Sequence, residues 1–393
     1  MLISERFNPS RLSVLVICFT LIAGSIPFLL TAPDNVSGSL YVGPGSTYNS
    51  ITSALESAAP GDTIFIESGT YNESISISKD RITLMANNTL SVIINGTGIG
   101  PAISIDADNV TLANINVTGG ELNMESNGSH IFNCQFDASS GKAVNIHDSM
   151  DSLLEEMDII YPNKDCISIT SSVNITLDGA NTMNTEGTSL YTVEETFIII
   201  NSSSRISVIN SRVELNFTAV WIDSRNTDML KIDECSVSSR NGSNIGIYLY
   251  NNSNFSIGKL NMGILGTGLI ARNSGMGAIF KSNFSVTDDT GIDLDTVKNM
   301  NISNCNIGLW GSSTGVRIRD GTGIDILDHS TMIHGDLSVG LDIGTVDGLF
   351  TSFFSSTILG DMSILVSMSG SRNVWMDNTT ANLIGNDCLG IEI

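Results

Sequence analysis

The sequence predicts an all-β chain folded as a single-stranded parallel β-helix of about 12 rungs, closed at its N-terminal end by one short helix. A recurring unit is the first reason. Its clearest copies are Asn109-Val-Thr-Leu-Ala-Asn-Ile-Asn-Val117 and Asn299-Met-Asn-Ile-Ser-Asn-Cys-Asn-Ile307. Aligned on the residue that opens its Leu-x-Asn-like step, the copies fall at Leu112, Ile131, Leu154, Leu177, Val208, Ile232, Ile257, Lys281, Ile302, Leu327, Thr351 and Met376. The spacings are 19, 23, 23, 31, 24, 25, 24, 21, 25, 24 and 25 residues, with Lys281 and Thr351 breaking the apolar rule. A period of this size denotes stacked units, each burying its apolar face on its neighbours. The second reason is period-two alternation inside each copy, which denotes strands with one buried face. The third is a second strand in phase with the first, of small–apolar–x–apolar form: Ala143-Val-Asn-Ile146, Cys166-Ile-Ser-Ile169, Gly291-Ile-Asp-Leu294, Gly315-Val-Arg-Ile318 and Gly340-Leu-Asp-Ile343.

Residues 1–33 read as a targeting segment, either a signal peptide or an N-terminal membrane anchor. Arg6 and Arg11 precede an apolar run from Leu12 to Leu30, and the next basic residue is Lys79. That asymmetry directs the remainder of the chain outward. The run is long for a signal peptide, and Pro27 would disturb a spanning helix. Residues 34–61 form an opening segment in which Ile51, Ala54, Leu55 and Ala58 share one helical face, ended by Pro60-Gly61. This helix is expected to cover the end of the solenoid core. Residues 62–393 are the β-helix, beginning at Asp62-Thr-Ile-Phe-Ile-Glu67 and turned at Gly69-Thr-Tyr71. An insertion around Asn184–Glu195 accounts for the copy of 31 residues. Asn114, Asn133, Asn210, Asn304 and Asn378 share one turn position, where stacked amides are expected to bond from rung to rung. The last copy stops in mid-strand at Gly390-Ile-Glu-Ile393, which implies a truncated chain or one capped by a partner.

The 26-residue stretch Tyr48-Asn-Ser-Ile-Thr-Ser-Ala-Leu-Glu-Ser-Ala-Ala-Pro-Gly-Asp-Thr-Ile-Phe-Ile-Glu-Ser-Gly-Thr-Tyr-Asn-Glu73 resembles the opening of the pectate-lyase-like right-handed parallel β-helix superfamily. More narrowly, it is similar to carbohydrate-binding and sugar-hydrolase repeat proteins of microbial surfaces. The resemblance implies a right-handed coil. It implies little about activity, because the fold hosts lyases, hydrolases, esterases and proteins without catalysis. The chain shares Gly69-Thr-Tyr-Asn-Glu73 with pectin methylesterases but lacks their downstream Gln-Asp and Asp-x-x-x-Gly motifs. Asn163-Lys-Asp-Cys-Ile-Ser168 echoes one polygalacturonase motif, without the adjacent second Asp or a Gly-His-Gly. Glycoside hydrolysis usually needs two carboxylates, so Asp165 alone reads as a turn aspartate. Asp328-His329 reads as a surface turn pair, and the four histidines show no ligand spacing.

Composition bounds the partners. Of the 393 residues 41% are hydrophobic and only 15% charged, and the net charge is −23 without a basic cluster. Nucleic acid is therefore not an expected partner. Cys134, Cys235 and Cys305 share an inward position on non-adjacent copies, and Cys166 and Cys388 lie on the other strand. All are too far apart to bridge and are expected as buried thiols.

Two constellations stand out on the second strand. With Ile292, Val316 and Leu341 inward, Asp293, Arg317 and Asp342 point outward on consecutive rungs, and Asp295 aligns with Arg319. The plain reading is an exposed opposite-charge ladder, worth at most ~1 kcal/mol per pair. A lyase reading would use Arg317 as base and a carboxylate-bound Ca²⁺; apart from that no cofactor or metal is expected. Trp221 and Tyr248 are placed in the same outward column, with Tyr250 beside them, as a surface on which sugars would stack. Sixteen Asn-x-Ser/Thr sequons occur, of which Asn72, Asn95, Asn127, Asn241 and Asn251 are the candidate glycosylation sites.

The sequence thus favours an exported cell-surface protein, structural or glycan-contacting, without its own catalytic site. The alternative is a polysaccharide lyase or glycoside hydrolase working along the Asp293/Arg317/Asp342 face. Expected partners are polysaccharides or cell-envelope glycans, and another copy of the chain through the last rung.

Overall fold

Every paired strand in the computed structural model runs parallel to its partner, and each turn of the chain supplies three short strands. The structure describes residues 37–392, apart from 89, 140, 161–164, 184–194, 216–218, 240, 353–354, 360, 362, 379 and 385–386. The expected targeting segment and nearly all of the insertion lie outside the described residues. About 13 turns stack into a β-solenoid, close to 60 Å long at ~4.8 Å per rung. Face A collects strands such as Val144–His147, Ile167–Thr170 and Thr290–Asp295. Face B collects Thr83–Ala86, Thr111–Ala113 and Ser256–Gly258, and face C collects Arg212–Leu215, Ser236–Ser239 and Asn306–Trp310. Longer strands run through two faces, as Met150–Ile160 does from B to C and Thr314–Leu327 from A to B.

Alternation fills the core with columns. On face A, Val144, Ile167, Ile198, Ile222, Ile247, Leu269, Ile292, Val316 and Leu341 stack in register, all essentially buried. Each such side chain contributes about 1.5–3 kcal/mol. On face B the column continues from Ile257 through Ile279, Ile302 and Ile326 to Thr351 and Met376. This corrects two sequence assignments. Ile279 holds the slot given to Lys281, and Ile326 the one given to Leu327. Thr351 does occupy the column, buried at 1% exposure.

Lys281 instead sits in the tight turn between faces B and C, at φ +50°. That turn takes one left-handed residue per rung: Asn114, Asn133, Asn210, Asn304 and Asn378 all lie there, with φ between +49° and +62°. Asparagine tolerates this region better than most side chains. It also bonds between rungs, as Asn133 Nδ2 does to Asn114 Oδ1 at 2.7 Å.

The residue after this turn points inward, and there Cys134, Cys235 and Cys305 are buried as expected. Burial pushes their thiols up to about 12, 11 and 11. Cys166 is buried too, whereas Cys388 is only half-buried. His329 occupies the same column and is 1% exposed, so it is a core residue and not part of a surface turn pair. Burial lowers its pKa to about 4. Elsewhere the inner edge is a polar column. Ser126, Ser149 and Ser172 are buried, and each backbone N–H donates to the serine Oγ of the next rung at 3.0–3.2 Å.

The helix spans Ile51–Ser57, with Ser50 as N-cap accepting from Ser53 N. Ile51, Ala54 and Leu55 are buried against the first rungs. Both ends are closed by side chains from the solenoid. Glu73 accepts from the backbone of Ile51 at 2.8 Å and Thr52 at 3.0 Å, and Lys79 Nζ donates to the carbonyls of Leu55, Glu56 and Ala58. Asp62 ties Gly38 N and Ala59 N, and Tyr71 donates to the Glu67 carbonyl. The residues of the opening motif thus hold the solenoid end together.

Candidate functional site

Face A carries a strip of two outward columns across six successive rungs, paired in register. In order the rungs present Asp223 and Arg225, Tyr248 and Tyr250, Ile270 and Arg272, Asp293 and Asp295, Arg317 and Arg319, then Asp342 and Gly344. Four arginines and four aspartates cancel. The strip is neutral on a chain of net charge −23.

The expected ladder of Asp293, Arg317 and Asp342 is present in register but is not the exposed ladder inferred from sequence. Asp293 is 4% exposed. Its Oδ2 accepts from Arg272 Nη2 at 2.8 Å and Arg319 Nη2 at 2.7 Å, from the rungs on either side. The second amino groups of these arginines face Asp295 Oδ2 at 3.2 and 3.7 Å. Two forks thus clamp two carboxylates. Arg317, the in-register neighbour of Asp293, turns instead to Asp342 at 3.5 Å and donates to Thr314 Oγ1 at 3.1 Å. Asp293 Oδ1 is buried and has no hydrogen-bond partner among the described residues.

At the other end Arg225 forks onto Asp223, Nε to Oδ1 at 2.9 Å and Nη2 to Oδ2 at 2.8 Å. This hydrogen bonding raises the guanidinium pKa above its ordinary value. The same guanidinium lies 5.6 Å from the centroid of the Tyr248 ring. Tyr248 is half-buried beneath it, and Tyr250, between Arg225 and Arg272 in its column, is 40% exposed. Beyond Tyr250 and Arg272 the chain turns into a shallow groove lined by Asn251, Asn273, Gly275, Met276, Lys298 and Asn299.

Trp221 does not belong to the strip. Ile222 pairs with Ile247 and Asp223 with Tyr248, so Trp221 stands opposite Gly246, two residues from its expected partner. Its side chain is fully buried, and its indole N–H has no partner among the described residues. Consecutive residues Trp221 and Ile222 both face inward because the chain rounds the corner between faces C and A there. A sugar cannot reach Trp221.

The sequence reading missed Arg225 and Arg272. Both lie two residues after the outward column, as Arg319 does, so the same register argument would have found them. Of the sequons, Asn72 and Asn241 are exposed. Asn251 is exposed and donates to Asn226 at 2.8 Å. Asn95 and Asn127 are half-buried, their amides bonded to Asn72 and Asp108. Asp165 accepts from Thr196 N at 3.3 Å, a turn role. Among the described residues no three His, Cys, Asp or Glu side chains converge on one metal position, and no helix is long and apolar enough to cross a membrane.

No protein-family model matches the chain, and no curated protein does. Solved structures similar to it are right-handed parallel β-helix proteins. One is a pectin methylesterase from Aspergillus niger, at 17% identity over 55% of this chain and 85% of that one, TM-score 0.36. Another is DFA-IIIase from Arthrobacter chlorophenolicus A6, at 10% identity over 72% and 78%, TM-score 0.44. A third is PfbA, a surface adhesin of Streptococcus pneumoniae, at 10% identity over 82% and 86%, TM-score 0.42. Identities this low carry no residue role from one chain to another.

Proposed function

We propose that this chain is an exported cell-surface β-helix that holds glycans along face A without turning them over. The observation that carries the reading is the pairing of every carboxylate on the strip. Asp223 is held by Arg225, Asp293 and Asp295 by Arg272 and Arg319, and Asp342 by Arg317. Glycoside hydrolysis asks for one carboxyl to give a proton and another to attack or activate water, and here no carboxylate stands unclaimed. What the strip does display is a tyrosine ring and guanidinium edges beside an amide-lined groove, groups that contact sugar rings and hydroxyls. Export rests on the basic residues before the apolar run at Leu12–Leu30. Of the five candidate sequons, Asn72, Asn241 and Asn251 are exposed and so open to modification.

A polysaccharide lyase or hydrolase is the second reading, favoured by one feature, the buried and unpartnered Oδ1 of Asp293. The experiment offers the full chain acidic and neutral polysaccharides with and without Ca²⁺. It records binding, ultraviolet absorbance from elimination, and new reducing ends. Binding weakened about tenfold by Tyr250→Ala with no products supports the holding role. Products abolished by Arg317→Ala would replace it with catalysis, and binding indifferent to Tyr250→Ala would sink the face A reading.

A further inference from the structure

Face C carries a different outward surface on three rungs that lie beside the arginine clamps. In register, strands Asn283–Thr287, Asn306–Trp310 and Ser330–His334 present nine outward residues: Asn283, Ser285 and Thr287; Asn306, Gly308 and Trp310; Ser330, Met332 and His334. None is Asp, Glu, Lys or Arg. Trp310 is 43% exposed, and the His334 ring stacks on it at 5.7 Å between centroids, 15° from parallel. The indole lies down along its own strand. A Cβ at Gly308 would come within 3.0 Å of Trp310 Cζ3 and 3.1 Å of Cη2, so a larger residue there would push the ring off the backbone. The result is a partly exposed aromatic plate of two near-parallel rings.

Four residues back along the strand, about 13 Å at ~3.3 Å per residue, a polar ladder crosses the same rungs. Ser330 Oγ donates to Asn306 Oδ1 at 2.5 Å, and Asn306 Nδ2 to Asn283 Oδ1 at 2.9 Å.

We infer that this plate and ladder form a second glycan subsite, for an uncharged oligosaccharide of at least two sugars. A pyranose offers a C–H face that packs on an indole and hydroxyls that bond to amides and serines at its rim. The lack of charge selects a neutral sugar over a uronate, in contrast to the arginine-bearing strip on face A. The subsite extends the glycan-holding reading to a second face and stands or falls separately from face A.

The test titrates the full chain with β-1,4-linked gluco-, manno- and galacto-hexaoses, following tryptophan fluorescence and heat, with polygalacturonate as the acidic comparator. At least one neutral hexaose is expected to bind, and raised salt to leave that binding unchanged. Trp310→Ala should weaken it about tenfold or more, Gly308→Val about threefold, and Trp310→Phe less than either. Trp375→Ala, which removes an exposed tryptophan from face B, should not alter it. The inference is overturned if no neutral hexaose gives a signal, or if Trp310→Ala binds as the parent does. Concentration-dependent self-association abolished by Trp310→Ala would overturn it too, by assigning the plate to a second copy of the chain. Failure on face A reads out separately, as polygalacturonate binding indifferent to Tyr250→Ala.

Discussion

Faces A and C of the later rungs share one core and one rung spacing, yet their outward columns solve the same problem in opposite ways. Stacking places like positions ~4.8 Å apart, so whatever chemistry a column begins with is met again on the next rung. On face A the charges on Arg272, Asp293, Asp295 and Arg319 alternate in sign from rung to rung and end clamped together, with Asp293 drawn below the surface. On face C charge is left out, and Trp310 and His334 stack on each other. A charged column gains by closing on itself, whereas this aromatic one keeps its tryptophan 43% exposed. The clamps should therefore matter to stability and the plate to binding.

The largest effect expected from this difference is at Asp293. Asp293→Ala strands two guanidiniums that converge on a nearly buried carboxylate, and breaking such a pair costs about 3 kcal/mol. The urea midpoint should fall with the slope unchanged. A double-mutant cycle with Arg272→Ala should return a coupling energy above that of an exposed pair. Trp310→Ala, on the other face, should leave the midpoint within about 0.5 kcal/mol of the parent. Equal effects at the two sites would erase the distinction between the faces.

A second prediction concerns what lies beneath face C. His329 is buried, with its pKa lowered from 6.5 to about 4 by burial. Between those values the unfolded chain binds the proton and the folded chain does not. Stability is thus full above pH ~6.5 and falls as the pH drops toward 4, by roughly 3 kcal/mol in all. Replacing the imidazole with an apolar side chain of similar size, His329→Met, should flatten that stretch of the stability–pH curve. An unchanged slope would mean that His329 takes up its proton without cost.

Much of this was legible in the sequence, for a physical reason. The strands and the left-handed asparagine turns are local events, set by alternation and by one residue's φ, and Asn114, Asn133, Asn210, Asn304 and Asn378 fell where the repeat put them. The corners were not legible by alternation. Trp221 and Ile222 are consecutive inward residues, and the rule of two sends one of them outward. A signal was present nonetheless. The slot opposite Trp221 is Gly246, and in later rungs it is filled by Gly268, Gly291, Gly315 and Gly340; a Cβ added at Gly291 or Gly315 would come within 2.7 or 2.4 Å of the carbonyl oxygen of the glycine on the next rung. A slot that takes glycine or a buried indole, and no polar residue, is a core slot. The burial of Asp293 was hidden for another reason. Register names its neighbour, Arg317, but the long side chains of Arg272 and Arg319 reach across columns, which spacing does not encode.

The smallest effect should come from Arg317, and it sharpens the contrast most finely because it lies on the same face as the clamp. Arg317 and Asp342 are 3.5 Å apart, with side chains 31% and 38% exposed, and one contact joins them where Asp293 has two. Water competes for both groups, and holding two long or mobile side chains together offsets what attraction remains, so such a pair is worth about 0.5 kcal/mol. Arg317→Ala should lower the urea midpoint by that much at low salt and by almost nothing at high salt, where the Debye length falls below ~5 Å. Asp293→Ala should keep most of its cost under the same conditions, because its partners meet out of solvent. A loss at Arg317 as large and as salt-resistant as the one at Asp293 would show that the whole strip is one locked network, and the clamp would no longer be special within it.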